Sequence, residues 1–245
     1  MIERQIGIAT AAGAMNTFVC HPERGGPHPV VLFYMDAPGI REELRDMARR
    51  LAAAGYYVML PNLYYRGGVE DLGPLSPDPE SPMRKRMTEL MYSLNVPLVM
   101  ADSDALLAFA ETDPAADAAR VGAVGYCMSG QHALGAAARY PGRVKAAASF
   151  YGTWLVTDKP DSPHLTVKDA DAEIYVAFAE TDPYVPVDWI EPLDQALAAA
   201  GLRHEVELYK AADHGFAFPQ RRTYDRDAAE RHWERLFALF GRNLG

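Results

Sequence analysis

The sequence predicts a mostly parallel, doubly wound α/β sheet with helices on both faces, and three observations predict it. Apolar runs of strand length alternate with segments of helical period along the whole chain. Several of those runs are apolar at nearly every position, as strands covered on both faces must be. No internal repeat, low-complexity tract or linker interrupts the alternation, so residues 1–245 are expected to form one domain.

Taken in order, Gln5–Ala9 and Met15–Cys20 read as an edge hairpin. Val30–Tyr34, Tyr56–Leu60, Val121–Gly125, Ala146–Phe150, Glu173–Ala179 and Glu205–Tyr209 read as the further strands. Between them, Glu42–Ala54, Leu98–Ala110, Gly130–Arg139, Val187–Ala200 and Arg226–Phe240 carry apolar residues at helical spacing. Gly55 and Gly201 follow two of these segments as helix stops. The stretch from Arg66 to Pro82 differs, because Gly67, Gly68, Gly73, Pro74, Pro77, Pro79 and Pro82 crowd together there. It is expected to form an irregular rim rather than a domain boundary.

Composition narrows the partners. A chain of 245 residues that is 49% hydrophobic can bury a sufficient core without metal or disulfide support. Its 24 Lys and Arg against 33 Asp and Glu give a net charge of -9, which repels nucleic acid and anionic lipid surfaces. No run approaches the ~18 apolar residues of a membrane span. The first residues, with Glu3 and Arg4, lack the apolar core of a secretion signal, so a cytoplasmic location is expected. Cys20 and Cys127 make no metal-spaced cluster and are expected to be free thiols, with no metal site. A monomer or homodimer is expected.

One motif carries chemistry. Val121–Gly130 reads VGAVGYCMSG, a strand, a sharp turn and a helix beginning near Gln131. A nucleophile elbow needs a glycine two residues before the nucleophile because the turn is crowded, and small residues after it. Gly125 meets the first demand, Ser129 and Gly130 the second, and Cys127 stands at the nucleophile's place. A lone cysteine at a strand end is more often a small buried side chain; the elbow context reverses that preference. A thiol attacks acyl carbon as thiolate, so a base and an orienting acid are required further on. Asp182 follows the Glu173–Ala179 strand in ETDPYVP, where an Asx-turn is the alternative role. His214 follows the last strand in ADHGFAF. Asp213 is a rival acid, but a neighbour in sequence usually points away. His21, His28, His132, His164, His204 and His232 lack the position and order.

With GYCMSG, ETDPYVP, ADHGFAF and PNLYYR in this order, the chain resembles the dienelactone hydrolase family over nearly its whole length. The resemblance implies an α/β-hydrolase fold and hydrolysis of small esters or lactones, without metal or organic cofactor, by a Cys-His-Asp triad. Cys127 would be nucleophile, His214 base and Asp182 its orienter. It also implies that Asp36, where the family has glutamate, meets the resting thiol, and that the amides of Ala37 and Met128 form the oxyanion hole. Independently of the resemblance, Tyr64, Tyr65, Tyr126, Phe150, Tyr151, Trp154, Tyr184 and Phe216 lie next to predicted strand ends where they can line an apolar substrate pocket, with core packing as the alternative, and Phe218 is a further substrate contact. Arg84 matches one of two arginines that bind a substrate carboxylate in the family; Phe218 stands at the other, which implies a weaker preference for anionic substrates. The same triad acting on other electrophiles such as aryl esters or phosphoesters, a redox-responsive thiol, and a binding module on this fold are the competing readings.

Overall fold

β1 (Ile2–Thr10) and β2 (Gly13–His21) form the expected hairpin, antiparallel from Ile2 opposite His21 to Thr10 opposite Gly13. A computed structural model describes residues 1–245, which divide into two units, Met1–Ala118 and Ala119–Gly245. In the first, β3 (His28–Tyr34) leads into α1 (Glu42–Ala53) and β4 (Tyr57–Pro61). The strand order is β1-β2-β4-β3, with β3 parallel and β2 antiparallel to β4. α1 turns Leu44, Met47, Ala48 and Leu51 inward, the i, i+3, i+4, i+7 stripe of a one-sided helix.

The irregular segment begins in a single 3-10 turn at Tyr65–Gly67 and ends where α2 (Pro82–Tyr92) starts. Ser81 caps that helix, its Oγ accepting from the Arg84 N–H at 3.3 Å, and Pro82 occupies the first turn, where no N–H is missed. α3 (Val96–Thr112) is longer than its periodic core because Asn95 caps it, accepting from the Leu98 N–H at 2.8 Å. The start of the irregular segment is clamped to α3: Arg66 donates two hydrogen bonds of 2.7 Å to the buried Asp102 carboxylate, and the Tyr65 hydroxyl donates a third at 2.8 Å.

β5 (Ala116–Tyr126), most of it in the second unit, starts five residues before the apolar run. Of residues 116–120 only Ala118 is buried, so they carry no apolar signature. Then follow α4 (Gly130–Arg139), β6 (Val144–Phe150), the four-residue α5 (Pro163–Thr166), β7 (Glu173–Thr181), α6 (Ile190–Ala199), β8 (His204–Asp213) and α7 (Arg226–Leu244). Here the strands run in the order β5-β6-β7-β8, each parallel to the next. α6 enters through a 3-10 turn at Val187–Trp189, where a continuous helix from Val187 is expected from sequence.

β7 and β8 both outrun their predicted ends, and their register slips between Ala179 and Thr181. Ala211 takes up the extra length in the left-handed region, at φ 59, and its N–H donates to Glu180 Oε2 at 2.8 Å. Such a bulge re-aims the residues beyond it. Thr181 pairs with Asp213 past the bulge, so the first residues beyond the two strands are Asp182 and His214.

Candidate active site

Cys127 leaves β5 on a backbone that L-residues avoid, at φ 54, and opens a 3-10 turn, Cys127–Ser129, that runs into α4. Gly125 makes this turn possible: a Cβ there would lie 2.0 Å from the Ser129 carbonyl oxygen. Gly130 does the same on the far side, where a Cβ would meet Ser149 Oγ at 2.3 Å and Gly152 Cα at 2.5 Å. The close approach therefore falls on Gly130, and Ser129 is tolerated. The loop after β6 holds the elbow, with the Thr153 N–H donating to the Cys127 carbonyl at 3.0 Å.

His214 Nδ1 lies 2.7 Å from Asp182 Oδ2. The other carboxylate oxygen, Oδ1, accepts from the Tyr184 and Val185 N–H groups at 2.8 and 3.1 Å. The Asx-turn and the histidine pairing thus coexist on one side chain. A carboxylate can only accept, so Nδ1 carries a proton and Nε2 is left to act on something else. Nε2 is buried and makes no hydrogen bond. Burial pulls the imidazole's pKa down, but the charge of Cys127 and the hydrogen bond to Asp182 outweigh it and raise it to about 9. Cys127 thus acts on the ring without the distance and angle of a formal hydrogen bond, a looseness usual in unliganded active sites. The tertiary structure brings Cys127, Asp182 and His214 together; Asp213 is not the partner of His214.

The His214 ring makes edge contacts with two aromatic rings, each with its centroid 5.0 Å away: Tyr151, fully buried, and Tyr184, 63% exposed. Tyr151 packs in turn against Phe216, and Tyr126 against Phe150 and Phe218. Tyr126, Phe216 and Phe218, expected to face substrate, have no exposed surface, because they fill the core beneath the site. The Tyr126 hydroxyl is committed to His232 Nε2 at 2.8 Å. Arg221, near Phe218 in sequence, lays its guanidinium over that ring at 4.9 Å.

The other candidates belong to the first unit. Asp36, fully buried after β3, holds a two-pronged pair with Arg41, at 2.5 Å through Oδ1 and 3.2 Å through Oδ2. Arg41 also meets Glu43 at 2.8 Å. Burial works against the Arg41 charge, the two carboxylates outweigh it, and its pKa is raised. Sequence reasoning missed Arg41, since only the turn closed by the Gly39 N–H on the Asp36 carbonyl, at 2.9 Å, folds it back. Ala37 is buried and its carbonyl accepts from the Tyr64 hydroxyl at 2.8 Å. Arg84 donates through Nε to the Ser76 carbonyl at 2.8 Å, so it braces its own segment. His232 was missed as well; it shows in sequence only as one polar residue within an amphipathic helix.

No three His, Cys, Asp or Glu side chains are placed to hold a metal ion. No single helix is long and apolar enough to cross a membrane.

Comparison with known proteins identifies the family and the fold. Residues 15–244 match the model of the dienelactone hydrolase family. A Methylorubrum extorquens protein provisionally named carboxymethylenebutenolidase is 31% identical over 96% of this chain and 79% of its own. A Klebsiella pneumoniae crystal structure, provisionally named dienelactone hydrolase, superposes with a TM-score of 0.86 at 30% identity, covering 98% of each chain. A dienelactone hydrolase-like promiscuous phosphotriesterase from metagenomic libraries superposes with a TM-score of 0.79 over 100% of this chain and 99% of its own, and at 20% identity that likeness concerns the fold alone.

Proposed function

The chain belongs to the dienelactone hydrolase family and has the α/β-hydrolase fold, and from that premise we propose that it hydrolyses small esters or lactones through a Cys127 thioester. The observation that carries the proposal is the 2.7 Å bond from His214 Nδ1 to Asp182, which leaves a buried, unbonded Nε2 under the influence of Cys127.

With Nδ1 held protonated by Asp182, His214 Nε2 is the base that takes the thiol proton of Cys127. Transfer of that proton to Nε2 leaves a thiolate beside an imidazolium. The thiolate attacks the carbonyl carbon, and the carbonyl electrons move onto oxygen. The Met128 N–H, at the start of the turn, is the donor we assign to that oxyanion. Collapse breaks the acyl–oxygen bond, and Nε2–H gives its proton to the departing alkoxide. The neutral Nε2 then takes a proton from water as the water attacks the thioester. The second collapse releases the acid, and the sulfur takes back its proton from Nε2. Asp182 keeps Nδ1 protonated throughout and stabilises the charged ring.

The test is turnover of p-nitrophenyl acetate and of a dienelactone, beside Cys127→Ala, with mass spectrometry for an acetyl group on Cys127. Turnover lost in the variant and an adduct on Cys127 are expected. Undiminished turnover by Cys127→Ala would overturn the assignment. Turnover of the neutral ester alone would narrow the substrate class to uncharged esters.

A further inference from the structure

The last helix reaches the strand that carries the nucleophile. His232 on α7 is fully buried, and its Nε2 lies 2.8 Å from the phenol oxygen of Tyr126, the residue before Cys127. Its Nδ1 lies 2.7 Å from the Ala229 carbonyl oxygen. A carbonyl can only accept, so Nδ1 carries the proton, and in the neutral ring Nε2 accepts from the Tyr126 hydroxyl. Aromatic rings enclose it: Phe150 meets it edge-on at 4.6 Å, and Trp233 packs at 4.6 Å.

Tyr126 is boxed in as tightly. Its ring stacks on Phe150 at 5.3 Å and meets Phe218 at 5.4 Å and Tyr151 at 6.1 Å. Tyr151 is the same residue whose ring packs against His214. One buried phenol is thus bonded through the backbone to Cys127 and packed, through Tyr151, behind His214.

This matters because Cys127 sits in a strained conformation, and strain persists only where the neighbours over-determine it. On the C-terminal side the Thr153 N–H grips the Cys127 carbonyl. On the N-terminal side the adjacent residue is Tyr126, and a hydroxyl bonded to α7 stops its ring from sliding along the aromatic box. We propose that His232 is a positioning residue for the thiol: by fixing the Tyr126 phenol it sets the backbone at Cys127 and the Tyr151 face against His214. The inference rests on Cys127 being the nucleophile.

The experiment compares Tyr126→Phe, His232→Leu, the double variant and His232→Gln with the parent and with Cys127→Ala. Melting curves, kcat and KM for p-nitrophenyl acetate, and the pH dependence of Cys127 alkylation by iodoacetamide are measured on each. A small displacement of a reacting atom costs rate rather than binding, so Tyr126→Phe and His232→Leu are expected to lose about tenfold in kcat with KM within about twofold. The midpoint for alkylation should move in both, because a displaced sulfur meets His214 at a different distance. The double variant should be no worse than the poorer single, since both cut one link. Glutamine carries an amide oxygen near the place of Nε2, so His232→Gln should recover most of the lost rate. A folded Tyr126→Phe with the parent's kcat and alkylation midpoint overturns the proposal, as do single losses that multiply in the double variant. If His232→Leu does not fold, Tyr126→Phe, which removes one oxygen, decides alone. Turnover by Cys127→Ala would sink the nucleophile assignment and this inference with it; an inactive Cys127→Ala beside a parent-like Tyr126→Phe would sink the positioning role only.

Discussion

Gly130 and Gly152 approach so closely that a side-chain carbon on Gly130 would start 2.5 Å from the Gly152 Cα. The helix after the elbow and the loop after β6 therefore meet backbone to backbone, with Ser149 Oγ wedged beside them. Gly130→Ala should cost about 1–3 kcal/mol of stability, because backbone cannot yield as a flexible side chain does. Gly241→Ala, on α7 with nothing within 4 Å, should be neutral or stabilising by up to ~1 kcal/mol. Urea unfolding of both variants checks this, and a Gly130→Ala protein as stable as its parent would remove the close contact from the account.

Asp182→Asn should lower kcat/KM by about 10²- to 10⁴-fold, since the amide can present an N–H to Nδ1 and favour the wrong tautomer. It also removes a hydrogen bond and a charge that raise the His214 pKa, so the midpoint near 9 should fall. Cys127→Ala should lower it too, by removing the electrostatic influence of Cys127 on the ring. Proton NMR titration of the His214 ring reads both shifts, and an unmoved midpoint in either variant contradicts the stated cause.

His132 is fully enclosed in α4, and burial lowers its pKa from 6.5 to about 3. Between those values the unfolded chain binds a proton that the folded chain refuses. The stability contributed is therefore present above pH 6.5 and lost as pH falls toward 3, at about 1.4 kcal/mol per pH unit. From pH 6.5 to pH 5 the parent should lose about 2 kcal/mol more than His132→Leu. Denaturant unfolding at the two pH values measures the difference; parallel losses would mean that His132 accepts a proton in the fold.

The Arg66 pair with Asp102 tests a different balance. Asp102 is buried, so Arg66→Met strands a carboxylate with only the Tyr65 hydroxyl and should cost about 2 kcal/mol, less than a fully enclosed pair because Arg66 is partly exposed. The double variant Arg66→Met/Asp102→Leu should recover part of that loss. A double variant less stable than Arg66→Met would show that the network's geometry, rather than the stranded charge, sets the cost.

Most strands and helices are legible in the sequence because burial on both faces leaves apolar runs and burial on one leaves a stripe. Where elements extend into half-exposed ground the signal fades, as at Ala116–Arg120 and in β8 beyond Tyr209. The bulge at Ala211 has no local signature at all, since an alanine at positive φ is held there by Glu180 on the neighbouring strand.

The sequence by itself determined the elbow and the order of Cys127, Asp182 and His214, because a turn so crowded admits few residues and βα connections preserve chain order. Only the tertiary structure decided that Asp182 rather than Asp213 meets His214, that Arg41 closes on Asp36, and that His232 reaches Tyr126. These are contacts between side chains on separate elements or across a turn. Their partners are set by register, bulges and packing, which depend on the whole chain, and no local pattern of residues encodes them.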